Sequence, residues 1–111
     1  MKRRRTVERY AWKAKIKEGK KAEYKKRHDE IWPEMKELLK SAGIANYSIW
    51  NVDDELFGYY ECERGVDFAA KTQSESPIVA KWDEYMKDVL IMEMDPVTGA
   101  QPRLECVFNL D

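Results

Sequence analysis

The chain has 111 residues, 37% charged and 43% apolar, with a formal net charge of −1; this composition suits a folded globular protein and excludes a disordered one. A balance so close to neutral argues against general affinity for nucleic acid. No stretch approaches the roughly 18 apolar residues of a membrane span and the N-terminus lacks the apolar core of a signal peptide, so the expected address is cytoplasmic, with no nucleic-acid or membrane partner.

The expected organisation is a single domain over residues 1–111, with 1–7 a flexible basic tail: the run Lys2 to Arg5 reads as a solvated terminus rather than a nucleic-acid arm. "RYAWKAKI" places Tyr10, Trp12, Ala14 and Ile16 on one side, the alternation of a half-buried strand, and Gly19 ends it. From Lys20 the pattern becomes helical, with Ala22, Tyr24, Ile31, Met35, Leu38 and Leu39 as buried candidates and Gly43 as the C-terminal cap. Pro33 lacks an N–H and clashes with the preceding turn, which predicts a break near residues 28–32, with Asp29 capping the second segment.

"NYSIWNVDDELFGYYECE" predicts a hairpin, with strands at 47–52 and 56–62 joined through Asp53, Asp54 and Glu55. "VDFAAKTQ" is a short amphipathic helix, Pro77 restarts the chain, and Val79, Trp82, Met86 and Val89 recur at helical spacing. After a loop marked by Pro96, Gly99 and Pro102, "RLECVFNL" alternates Leu104, Cys106, Phe108 and Leu110, a final strand. Cys62 and Cys106 lie in apolar stretches outside any metal spacing and read as reduced core thiols. The acidic runs at 53–55 and 93–95 read as turns, not as metal ligands.

The resulting order, β-α-β-β-α-β, is the split βαβ: an α+β, ferredoxin-like sandwich with an antiparallel sheet and its helices on one face. Aromatic residues on both sides of the strands leave the second face to meet another sheet or enclose a pocket. A homodimer, paired as a dimeric α/β-barrel, is the economical arrangement, with the C-terminal strand crossing to or completing the partner's sheet.

"EYKKRHDEIWPEM", then "LLKSAGIANYSIW", "KWDEYMKDV" and "LECVFNL", resemble the L-rhamnose mutarotase family of small dimeric sugar epimerases, over essentially the whole chain from Arg9 to Leu110. The resemblance implies interconversion of the α and β anomers of L-rhamnose or a related 6-deoxyhexose, with no cofactor and no metal. It implies His28 as the proton donor, Tyr24 as a substrate-binding or proton-sharing partner, Tyr47 as a sugar-binding tyrosine, and Trp82 as the first of two adjacent tryptophans that pack on the sugar. Asp83 stands in place of the second tryptophan, where it can hydrogen-bond a hydroxyl or face solvent.

The chemistry agrees with these assignments. Anomer exchange needs a group that gives and takes protons near neutral pH, and imidazole, with an ordinary pKa of about 6.5, is suited to it. Tyr24 and His28 are separated by one helical turn, so they share a face and can bracket one small ligand. Aromatic rings suit a deoxysugar, whose methyl and C–H face are apolar. The competing readings are plain: His28 as a solvated histidine in a charged helix, Tyr24 and Tyr47 as core aromatics. Trp32 beside Pro33 reads as the residue that fixes the angle presenting His28, and Trp12 and Trp50 as core or interface residues. The functional alternative is a non-catalytic or monooxygenase-like dimeric α/β-barrel protein that binds a small ligand, because this fold hosts many functions.

Overall fold

The computed structural model describes residues 7–91 and 103–110. The basic run at 2–5, the acidic run at 93–95 and the loop around Pro96, Gly99 and Pro102 therefore lie outside the described residues. In chain order the elements are β1 (Glu8–Ile16), α1 (Lys21–Asp29), α2 (Pro33–Ser41), β2 (Ile44–Val52), β3 (Glu55–Cys62), α3 (Val66–Ser74), α4 (Pro77–Met86) and β4 (Leu90–Ile91). The strands form one antiparallel sheet in the order β2-β3-β1-β4. β3 lies between β1 and β2, the hallmark of the split βαβ, so the ferredoxin-like α+β class expected from the element order is the observed one.

The period-2 pattern of β1 is realised: Trp12, Ala14 and Ile16 are buried on the face that also receives Leu56, Tyr60 and Cys62 from β3 and Met35, Ala69, Trp82 and Met86 from the helices. Trp12 lies directly opposite Gly58 in the β1–β3 register. A Cβ on Gly58 would stand 2.0 Å from Trp12 Cε2, so the indole occupies the space that any larger residue would need. Glycine is required here by close approach, not by an unusual φ.

The break before Pro33 is observed. α1 ends at Asp29, and Pro33 is the first residue of α2, where its missing N–H would have had no intrahelical partner. Trp32 is the N-cap, held extended as expected of a residue preceding proline. Asp29 does not cap α2. It closes α1 and pairs with Lys25 at 2.8 Å, because Glu30, Ile31 and Trp32 intervene before α2 begins. Gly43, with φ of +77°, follows α2 and sends its N–H back to the Lys40 carbonyl at 3.0 Å. Ala22, expected to be buried, is exposed. The second helical region divides at Pro77, and Ser76 Oγ caps α4 by accepting from the Val79 N–H.

The end of the chain departs from expectation. The fourth strand of the sheet is Leu90–Ile91, which pairs with Lys15 and Ile16, where the helical pattern had been expected to continue. From the expected strand at 103–110 only Arg103 bridges β1, at Trp12, and the Leu104 N–H reaches the Ala11 carbonyl at 2.7 Å. Its further contacts with β1 run through side chains, Arg103 Nη2 donating to the Arg9 carbonyl at 2.9 Å and Arg9 Nη1 to Asn109 Oδ1, while Leu104, Val107, Phe108 and Leu110 are exposed. Cys62 is buried as expected, whereas Cys106 is exposed with the rest of that segment.

Gly58→Ala tests the Trp12 contact. In an ordinary strand interior alanine is the better residue; here overpacking should cost about 1–3 kcal/mol, read as a lower urea midpoint with an unchanged m-value.

Candidate functional site

The site begins with an irregularity in β2. Ala45 pairs with Glu61 and Ser48 with Tyr59, so two residues, Asn46 and Tyr47, occupy the stretch opposite Tyr60. The extra residue is a β-bulge, and Asn46 takes the left-handed conformation it needs, with φ of +50°. Because strand side chains alternate, one inserted residue reverses the facing of the residues after it. Tyr47 thereby turns to the helix side, its ring 5.0 Å from that of Tyr60. The Asn46 amide holds the bulge by donating to Glu61 Oε1 at 2.7 Å.

Above this sheet face stands α1. Tyr24 and His28, one turn apart, stack with ring centroids 4.4 Å apart. α4 supplies the opposite wall, where Trp82 meets His28 edge to face at 5.4 Å. Trp32, at the start of α2, braces Trp82 at 5.1 Å and Tyr85 at 5.3 Å. Tyr24, His28, Tyr47, Trp82 and Asp83 line a cavity of about 960 Å³ above an apolar floor that includes Met35, Leu56 and Met86. All five residues singled out in the sequence meet there, and the volume suits a small-molecule site.

Burial governs the protonation of the group. It lowers the pKa of His28 below its ordinary value, opposed in part by the bond to the Tyr24 backbone and by the charge of Asp29, so the imidazole is neutral at pH 7. His28 Nδ1 lies 3.2 Å from the Tyr24 carbonyl oxygen. A carbonyl only accepts, so Nδ1 carries the proton and Nε2 the free lone pair. Burial drives the phenol of Tyr24 upward. Tyr47 is 38% exposed overall, yet burial also raises its hydroxyl, and a hydrogen bond with the Trp12 indole only partly offsets that rise. Tyr60 is pushed up to about 12, chiefly by burial. The phenols are therefore neutral donors beside a neutral base.

Asp83 sits at the cavity rim. It is exposed as a residue, but burial of its carboxyl raises its pKa. Trp50, read as core or interface, lies 69% exposed on the sheet face away from the cavity, opposite Phe57. Trp12 has a second role that its strand position did not reveal: it lines the cavity with Tyr47. The glycine opposite it was the available signal. Asn51 and Gln73 also reach the cavity; a lone amide in a strand or helix carries no mark that separates it from a surface residue.

A sequence profile described as L-rhamnose mutarotase matches residues 9–110 of this chain. The chain belongs to the L-rhamnose mutarotase family. It is 39% identical to an L-rhamnose mutarotase of Rhizobium johnstonii, over 95% of this chain and 98% of that protein. A second L-rhamnose mutarotase, from Mesorhizobium japonicum, is 42% identical over 93% of this chain and 97% of its own length. The crystal structure of L-rhamnose mutarotase from Formosa agariphila superposes with a TM-score of 0.74 at 35% identity, covering 94% of this chain and 99% of that one. Membership makes the chain an isomerase of sugar anomers and disfavours the reading as a non-catalytic or monooxygenase-like barrel. Among the described residues, no helix is long and apolar enough to cross a membrane.

The depressed pKa of His28 has a consequence for stability. The unfolded imidazole, at about 6.5, takes up a proton before the folded one does. Stability is therefore full above that value and is lost as pH falls through the lower, folded pKa. Between pH 7.5 and 5.5 the urea midpoint of the parent should fall, and His28→Leu should flatten that dependence.

Proposed function

We propose that this chain interconverts the α and β anomers of L-rhamnose or a related 6-deoxyhexose, with His28 as the group that moves the proton. The observation that carries this reading is the neutral imidazole, its Nδ1 tied to the Tyr24 carbonyl, held between Tyr24 and Trp82 in a cavity. Nε2 takes the proton of the anomeric hydroxyl. As that oxygen becomes the aldehyde carbonyl, the bond from the anomeric carbon to the ring oxygen breaks, and the imidazolium returns the same proton to the ring oxygen. Rotation of the aldehyde and the reverse sequence close the ring as the other anomer, with protons and electrons balanced throughout.

Tyr24 and Tyr47 act as neutral phenols that donate hydrogen bonds to the sugar oxygens, because burial keeps both protonated. Trp82 offers an apolar wall to the deoxysugar. Asp83, a carboxyl lining the cavity, takes hydrogen bonds from sugar hydroxyls. The pairing is a homodimer, supported by the exposed aromatic sheet face around Trp50 and by the exposed Leu104, Val107, Phe108 and Leu110, which would find cover on a second copy. The cytoplasm is the proposed location.

Saturation-transfer NMR of anomer exchange tests the catalytic reading. A positioned acid–base group supplies about 10²- to 10⁴-fold, so His28→Asn should lose most of the catalysed exchange while still binding sugar, and Tyr24→Phe should lose less. The parent rate should hold at pH 7 and fall as pH drops through the lowered imidazole pKa. Asp83→Trp should favour L-rhamnose over sugars with a C6 hydroxyl. A folded His28→Asn protein exchanging at the parent rate would remove His28 from the mechanism. For the assembly, light scattering at micromolar concentration should give twice the 13.2 kDa chain mass; a monomer alone would refute the dimer.

A further inference from the structure

α1 is an awkward platform for a proton-transfer residue. It is nine residues long, and Tyr24 is its only buried residue. A helix this short is not stable by itself and must be fixed by tertiary contacts, yet its sequence, KAEYKKRHD, offers almost no apolar face. Arg27 supplies the missing attachment. Its Nη1 donates to the Tyr85 carbonyl at 2.6 Å and to Asp88 Oδ1 at 2.8 Å, and its Nη2 reaches Asp88 Oδ2 at 3.3 Å. Its Nε donates to Glu23 Oε2 at 2.7 Å, one turn back on α1. The guanidinium also lies 4.3 Å from the centre of the Tyr85 ring.

The Arg27 side chain is only 11% exposed, whereas Asp88 stays largely in solvent and Glu23 is half-buried. Its two Nη groups join the last turn of α1 to the end of α4 and the residues just after it, where the unsatisfied carbonyls favour a cation. Only the planar fork of arginine can stack on a ring, bridge a carboxylate with two N–H groups and reach a carbonyl at once. From Tyr85 the contact continues inward: Tyr85 touches Trp82 at 5.7 Å, and Trp82 touches His28 at 5.4 Å.

We propose that Arg27 is a positioning residue of the site: by clamping the last turn of α1 to Tyr85 and Asp88, it sets where the adjacent His28 stands against Trp82. The role in turnover rests on the function proposed above, whereas the clamp is a statement about geometry. Removing it leaves Tyr24 as the main anchor of α1, so the imidazole drifts from Trp82 toward water.

Arg27→Met retains the apolar stem and loses the fork. A misplacement of about 1 Å can cost on the order of 10²-fold, so kcat for anomer exchange should fall about 10- to 100-fold, with a smaller change in KM. Nuclear Overhauser contacts between His28 and Trp82 should weaken, and the His28 titration followed by NMR should move up toward the ordinary imidazole value. Arg27→Lys should restore part of each effect, and Asp88→Asn should act in the same direction without adding fully to Arg27→Met. A folded Arg27→Met protein with a lower melting temperature, but with the parent's kcat, His28–Trp82 contacts and His28 titration, would make Arg27 merely structural and overturn the proposal. If that variant does not fold, Arg27→Lys and Asp88→Asn decide by the same readouts. If the parent fails to exchange rhamnose anomers, the proposed function falls, and the NMR contacts and titration still decide the clamp.

Discussion

The close contact of Trp12 with Gly58 is the constraint on which the rest of the site depends. Because Gly58 has no side chain, the indole occupies the sheet surface directly opposite it. There it forms part of the cavity lining, together with Tyr47 from the edge strand β2. A larger residue at position 58 would drive the indole up into the space that the helices leave open. Room for a ligand in this fold is thus created by a missing side chain in the middle strand.

The cavity controls protonation as well as shape. Taking titratable groups out of water penalises their charged forms. The effect has opposite directions for the two kinds of group: the imidazole loses basicity, and the phenols lose acidity. Both end neutral at the same pH. A neutral base among neutral donors can pass a proton without a separated charge having to persist in a low-dielectric space. Asp83 is the one carboxyl among the five predicted site residues, and burial raises its pKa as it does those of the phenols.

Helix attachment is divided between apolar and ionic contacts according to what each helix offers. α4 buries Trp82 and Met86 and is held by the core. α1 has little to bury and is tied through Arg27 to the end of α4. The break before Pro33 frees α1 to take its own angle, and Trp32 fills the corner against Trp82 and Tyr85. The histidine-bearing turn therefore rests on one buried tyrosine, one guanidinium and one aromatic corner.

By itself the sequence determined the element order, the ferredoxin-like class, the helix break before Pro33, the buried side of β1 and the family. Each depends on short-range rules: period-2 or helical spacing, the missing proline N–H, the glycine after α2, and motif order. Five of the residues that meet in the cavity, Tyr24, His28, Tyr47, Trp82 and Asp83, were also legible, because the one-turn spacing of Tyr24 and His28 and the family motifs named them. Only the tertiary structure decided the rest. The bulge at Asn46 sets which way Tyr47 faces, and it arises from pairing with β3, not from a local pattern. The fourth strand is Leu90–Ile91 rather than the alternating 103–110 segment, since alternation reports that a stretch has two faces but not which strand edge is free to receive it. Trp12 as a cavity wall and Arg27 as the link to α4 depend on partners 46 and 61 positions away in sequence, Gly58 and Asp88. Such contacts exist only once the sheet and helices are packed.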